Sequence, residues 1–474
     1  MNPSFNPPVA ERRQIDTRSI QALDSAHYMH PFTDTRELGL RGARVIVRGE
    51  GIYVWDSEGK KILDAMSGLW CVNIGYGRSE LAQAAYMQMM ELPYYNSFFN
   101  TTNVPAVKLA AKLCELAPRV GDRSFTHVFF SSSGSESNDT NIRMVRHYWA
   151  SLGQSERKII ISRKNGYHGS TIGGASLGGM QAMHEQGDLP IPGIVHIDQP
   201  YFSNNALADE SEHDFGLRMA RQLEEKILEL GAHRVAAFIG EPIQGAGGVI
   251  IPPASYWPEI QRIVDKYGIL LISDEVICAF GRLGSWFAYE QLGYKPDLVT
   301  FAKGVTSGYA PLGGVMVGDR VAKVLIEKGG EFNHGYTYSG HPVACQVALA
   351  NLEWMEREHV VERIKDDTGP YLSECFAALN EHPLVGDARS YGFMAGLLLM
   401  KNKATGERFS PESGVGMACR AHCFGNGLVM RAVGDRMIIA PPLVMTRTDI
   451  DDMMKLIIQC LDLTLSEAKN KGWC

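Results

Sequence analysis

The sequence predicts an α/β protein: a large domain on a mostly parallel sheet, with a smaller α+β domain built from both ends of the chain. Three observations lead there. From about Thr126 to Gly318, apolar runs of strand length alternate with amphipathic stretches of helix length, the signature of a parallel sheet with crossover helices. The last hundred residues lose that alternation. The segment from Ala43 to Asp64, containing VIVRGEGIYVWDSEGKKILD, instead reads as hairpins turning at Gly49-Glu50-Gly51 and Ser57-Glu58-Gly59. Such hairpins have no place in a parallel sheet and are expected to pack with the C-terminal lobe.

The spacing predicts strands over residues 127–130, 158–162, 235–239, 269–273, 298–302 and 313–317. Helices are expected over 136–151, 215–230, 256–267, 343–358 and 361–380, from apolar spacing near 3.6 residues and from Gly or Pro at their boundaries. The C-terminal lobe should hold a strand over 392–400, a helix over 415–424, two strands between 428 and 439, and a closing helix from Thr448. The expected division is 1–65 as an N-terminal part of the small domain, 66–355 as the large domain and 356–474 as the C-terminal small domain. A chain of 474 residues, 45% hydrophobic and 21% charged, is long enough for both.

A formal net charge of −7 and the lack of a long basic run argue against nucleic acid or an anionic membrane surface as partner, and favour small-molecule ligands. The opening MNPSFNPPVAERRQID lacks the apolar region of a secretory signal and reads as a flexible lead-in. No apolar run approaches the roughly 20 residues that span a bilayer, so a cytoplasmic protein is expected. Nine cysteines without a regular framework suit reduced thiols. The cluster Cys419-Arg-Ala-His422-Cys423 shares a helix face, but no second cluster completes a tetrahedral site, so no metal is expected.

Three segments carry chemistry. Ser131-Ser132-Ser133-Gly134-Ser135-Glu136 follows a strand and opens a helix, where free N–H groups and serine hydroxyls make an anion cradle. A Ser/Gly turn capping a helix needs no ligand, so this segment alone leaves both readings open. Ile269 to Val276 places Asp274 and Glu275 at the carboxyl end of an apolar strand, the edge where ligands of open α/β sheets gather. A buried carboxylate there needs a cationic partner, such as a protonated pyridine nitrogen, although a helix cap or an unseen arginine would also serve. Asp297 to Gly304 ends another apolar strand on Lys303, 29 residues after Asp274 (303 − 274). A desolvated lysine can condense with an aldehyde, and a solvated turn lysine is the alternative. Phosphate cradle, acid and lysine at one sheet edge are what pyridoxal phosphate requires together.

On these residues and on LWCVNIGYGR, SGSES, NGYHGST, EPIQGAGG, SDEVICAFGR, FAKGVTSGY, HGYTYSGHP and LVMRAVGDRMIIAPPL, the sequence resembles the class III (omega) aminotransferases of PLP fold type I, across nearly the whole chain. Within that family it is similar to the amine–pyruvate and putrescine–pyruvate enzymes. The resemblance implies that Lys303 holds pyridoxal 5'-phosphate as a Schiff base and shuttles the proton, and that Asp274 keeps the pyridine nitrogen protonated. It implies that Tyr167 and Val276 enclose the ring, that Ser133, Gly134 and Ser135 bind the phosphate, and that His168 and Glu241 lie near the cofactor. Thr337 is implied to reach the phosphate from the second subunit of a homodimer, possible pairing into a tetramer being left open. Leu69, Trp70, Phe98, Tyr167 and Tyr336 are implied as the substrate wall, with Arg431 as a mobile carboxylate receptor.

The implied reaction moves an amino group from a primary amine, diamine or omega-amino acid to pyruvate. Alternatives are a decarboxylase or aminomutase of the same fold, or a PLP-binding regulator, against which the lack of a preceding DNA-binding segment speaks. Two positions depart from the family pattern: Ala279 stands where glycine is usual, and Lys164 where tryptophan is frequent.

Overall fold

The computed structural model describes residues 15–474; most of the N-terminal lead-in, residues 1–14, lies outside them. A seven-stranded sheet forms the centre, in the spatial order Phe125–Ser131, Gly313–Gly318, Leu298–Phe301, Leu270–Asp274, Val235–Gly240, Ile159–Arg163, Ile194–Ile197. The last five run parallel, and Gly313–Gly318 is antiparallel to both of its neighbours. Phe125–Ser131 therefore points the same way as the parallel set, and six carboxyl ends share one edge.

The central strands are buried on both faces, which is why they read as unbroken apolar runs rather than alternating ones. Side-chain alternation still sorts them. Leu270 and Ile272 pack with Val145, Tyr148 and Trp149 of helix Gly134–Ser151. Leu271 faces the other layer, with Trp257 and Ile260 of helix Tyr256–Tyr267. Strand Ile194–Ile197 is absent from the expectations, since four residues interrupted by His196 at a sheet edge give almost no pattern.

Both ends of the chain meet in two smaller sheets. Ile46–Glu50, Tyr53–Asp56 and Lys61–Asp64 form the expected hairpins, and Leu428–Val429 adds to them in parallel, Leu428 opposite Leu63. Val385–Tyr391, Met394–Leu399, Arg436–Ile439 and Arg431–Val433 make an antiparallel sheet, and the closing helix Arg447–Asn470 packs on helices Val415–Gly425 and Gly369–Ala377. The helix expected over 361–380 is broken. It runs as Val360–Arg363, a wider turn at Ile364–Thr368, Gly369–Ala377 and a tight turn at Ala378–Glu381. Pro370 explains the widening, because it has no N–H to give and its ring clashes with the carbonyl four residues back. The Cys419-to-Cys423 segment lies on helix Val415–Gly425 with both thiols buried, while His422 pairs with Glu467 at 2.7 Å.

Candidate active site

At the shared sheet edge a cavity of about 940 Å³ opens between the large sheet and the C-terminal lobe. Lys303 enters it two residues beyond strand Leu298–Phe301, from a left-handed backbone conformation (φ 47°) that a non-glycine residue adopts only when its surroundings impose it. Burial pulls its pKa below the ordinary lysine value, against the opposing pull of Asp274. The amine is therefore shifted toward its neutral, nucleophilic form.

Asp274 ends its strand 3% exposed. Its Oδ2 accepts from His168 Nδ1 and from Asn138 Nδ2, both at 2.7 Å, and Oδ1 accepts the Val276 N–H at 3.2 Å. An ionised carboxylate is acceptor-only, so His168 carries its proton on Nδ1. Asn138 also donates to the His168 carbonyl, and its own Oδ1 accepts from Thr300 and Asn141. Glu275, the next residue, points away: its carboxylate accepts the Ala288 and Tyr289 N–H groups and holds that loop. Burial pushes Glu275 up to about 7 despite these bonds.

The serine turn forms a cradle. Ser133 caps helix Gly134–Ser151 by accepting the Glu136 N–H, and Glu136 accepts the Ser132 N–H at 2.7 Å. Among the described residues the N–H groups of Gly134 and Ser135 have no partner. A Cβ on Gly134 would come within 2.9 Å of Val276 Cγ2, so the two residues shape a narrow slot beside the free N–H groups. Ser135 Oγ accepts the Ser170 N–H, tying the cradle to the loop that carries Tyr167 and His168. Glu241 accepts the Tyr167 and Gly245 N–H groups at 3.0 and 2.9 Å, and burial raises its pKa.

Leu69, Trp70, Ser133, Gly134, Ser135, Tyr167, His168, Glu241, Asp274, Val276, Lys303 and Arg431 all line this one cavity. Phe98, Tyr336 and Thr337 do not. Phe98 borders a separate hollow with Phe129 and His334. Tyr336 donates to the Glu136 carbonyl, and Thr337 is exposed, its carbonyl accepting from Tyr94. Within a single subunit none of these three walls the site. Of the two departures from the family pattern, Ala279 is buried in the core and Lys164 pairs with Asp198 at 2.7 Å beside another hollow, so neither borders Lys303. Sequence reasoning missed Asn138, whose signal was a polar residue inside the buried face of a helix, and it missed Arg420 and Phe424, which also line the cavity.

The geometry fits pyridoxal phosphate on observations of its own: free N–H groups at a helix start, a buried carboxylate, and an enclosed amine. The aminotransferase class-III family profile matches residues 39–461. The putrescine–pyruvate aminotransferase of Pseudomonas aeruginosa is 58% identical over 94% of this chain and 97% of its own length. The diaminobutyrate–2-oxoglutarate transaminase of Halomonas elongata is 44% identical over 90% of this chain and 92% of its own. Among solved structures, the omega transaminase of Pseudomonas jessenii in complex with PMP superposes with a TM-score of 0.91 at 38% identity, covering 94% of this chain and 98% of that one. Site geometry, profile and relatives agree, and the chain belongs to the class III aminotransferases, PLP-dependent enzymes of the omega-transaminase fold.

Proposed function

We propose that the protein transfers the amino group of a primary amine, with a diamine such as putrescine or an omega-amino acid as donor, to pyruvate, giving an aldehyde or ketone and alanine by ping-pong turnover through Lys303. One observation carries this reading. Arg431 lines the same cavity as Lys303, and among the described residues its guanidinium has neither a hydrogen bond nor an ion pair. A partly buried guanidinium without a partner is a receptor for a carboxylate, and it can turn aside when the substrate lacks one. The relative named for putrescine and pyruvate supports the choice of substrates.

Bound in this cavity, pyridoxal phosphate supplies an electron sink for the carbon that loses its proton. The rest falls to the chain. Gly134 and Ser135 N–H groups and the Ser133 turn would hold the phosphate. Asp274, oriented by His168 and Asn138, would keep a proton on the pyridine nitrogen. Tyr167 and Val276 would confine the ring, with Glu241 fixing the Tyr167 backbone. Lys303 Nζ would attach the cofactor, take a proton from the donor carbon, and in the second half-reaction deliver one to the former oxo carbon of pyruvate. Leu69 and Trp70 would shape the space for the donor's side chain and keep water out.

A homodimer belongs to this reading. Met87, Met90, Tyr95, Phe99 and Val107 are 50% or more exposed, an apolar band next to the Thr337 loop that a second copy would cover. Covered so, Thr337, Tyr336 and Phe98 would face the partner's cavity. The free cysteines favour a reducing, cytoplasmic setting. The division near residues 65 and 355 is supported by the pairing of Leu428–Val429 with Lys61–Asp64. The test is product analysis with putrescine and pyruvate: alanine and the amino aldehyde should appear in equal amounts. Carbon dioxide release, or amino-group migration without alanine, overturns the reading in favour of a decarboxylase or an aminomutase.

A further inference from the structure

A second guanidinium lines the cavity, and nothing in the transfer of an amino group to pyruvate uses it. Arg420 sits on helix Val415–Gly425, whose Cys419 and Cys423 turn into the lobe and are buried. Its guanidinium lies 5.2 Å from the ring centroid of Phe424, one turn later, and Arg44 stands 4.9 Å from the same ring. Contact with an aromatic face holds an arginine in place while leaving its in-plane N–H donors unused. Among the described residues Arg420 makes no hydrogen bond and no ion pair, which is also true of Arg431.

The carboxylates of the cavity do not offset this. Asp274 is engaged by His168 and Asn138, and Glu241 by the Tyr167 and Gly245 N–H groups. Burial and the neighbouring Arg420 charge both act to lower the Arg431 pKa, so the two cations feel one another. Two arginines sharing a wall, both short of acceptors, are unfavourable by themselves and become favourable when an anion with two carboxylates bridges them.

We propose that Arg420 is a specificity-determining residue that anchors the distal carboxylate of a dicarboxylic ligand, a dicarboxylic 2-oxo acid in turnover, while Arg431 takes the carboxylate beside the oxo carbon. The proposal rests on the reading of this cavity as the acceptor site. It makes the enzyme's choice of acceptor broader than a monocarboxylic oxo acid.

The test is calorimetric titration of the holoenzyme at constant ionic strength with glutarate and with butyrate, unreactive chains that differ by one carboxylate group. The native protein should bind glutarate about tenfold or more tightly than butyrate, the gain expected for a charge-assisted hydrogen bond. In Arg420→Met, which keeps the apolar stem over Phe424, the gap should fall below about threefold, and Arg420→Lys should restore part of it. A native protein that does not distinguish the two ligands overturns the proposal, as does a gap that survives in Arg420→Met. Because binding is read without turnover, failure of the pyruvate reading would show as absent alanine and would leave this result intact.

Discussion

His168 Nδ1 lies 2.7 Å from Asp274 Oδ2, with both side chains almost wholly buried and the same oxygen accepting from Asn138. The acid that faces the cavity is thus held by two side-chain donors, one of them on the helix whose first turn forms the anion cradle. Asp274→Asn should fold yet lose about two to four orders of magnitude in transamination rate, in the range of a lost proton-managing group. Asn138→Ala should cost about 1–3 kcal/mol of stability, since it leaves buried acceptors short of a donor. Stopped-flow half-reactions and denaturant unfolding separate the two effects, and a near-native rate in Asp274→Asn would remove the proposed role.

Lys303→Ala should lose multiple turnover by at least about a thousandfold while retaining pyridoxal phosphate through the serine cradle and Asp274. Steady-state alanine formation and the visible absorbance of the bound cofactor report the two properties independently. Turnover close to native would place the reactive amine elsewhere.

Arg431→Ala should impair the pyruvate half-reaction by about 1.5–3 kcal/mol, the range for hydrogen bonds to a charged group, and largely spare the half-reaction with 1-phenylethylamine. Rapid mixing of each loaded form with its substrate gives both rates. Equal losses in the two would rule out a selective role for Arg431 toward carboxylates.

Mixing Lys303→Ala with Thr337→Ala tests whether sites are shared. Subunit exchange should produce heterodimers in which one cavity has both residues intact, so activity should reappear toward about a quarter of native, the statistical share of lesion-free sites. If mass spectrometry demonstrates exchange, Thr337→Ala alone is impaired and no activity returns, the exposed Thr337 loop serves no neighbouring cavity.

Glu275 gives a pH dependence with a definite sign. Its folded pKa of about 7 lies above the ordinary value of 4.5, so the folded state binds the extra proton between those values. The associated stability is fully present below about pH 4.5 and is lost as pH rises through 7, by about 3 kcal/mol in all. Denaturant unfolding from pH 5 to 7.5 should show the decline, and Glu275→Gln should flatten it; an unchanged slope in the variant would assign the decline to other groups.

The site's large-domain half was legible because its cradle, acid and lysine each sit within two positions of the end of an apolar strand, and such strands announce themselves by composition. Ser133, Asp274 and Lys303 are read this way. Glu275 was grouped with Asp274 although neighbouring residues at a strand end face opposite sides, an alternation the sequence already contained. Asn138 was hidden by its setting, since a helix-interior asparagine looks like a surface residue until the helix face is known to be buried. Arg420 and Phe424 were hidden for a different reason: they lie more than a hundred residues beyond Lys303 in another lobe, and no local pattern says that lobe closes over the sheet edge. Thr337, Tyr336 and Phe98 cannot be placed against a cavity from one subunit at all.

The two-residue parallel pairing of Leu428–Val429 with Lys61–Asp64 has a mechanical consequence. Leu69 and Trp70 follow one of these strands by a few residues and Arg431 follows the other by two, so the apolar wall and the carboxylate receptor hang from adjacent strands about 4.8 Å apart. Trp70 is also packed against Ile243, Val249 and Ile277 of the large domain, so the pairing ties the lobe that carries Arg431 to a wall anchored on the large sheet. The spacing between the surface that takes a side chain and the charge that takes an acid then hangs on two residues of strand pairing.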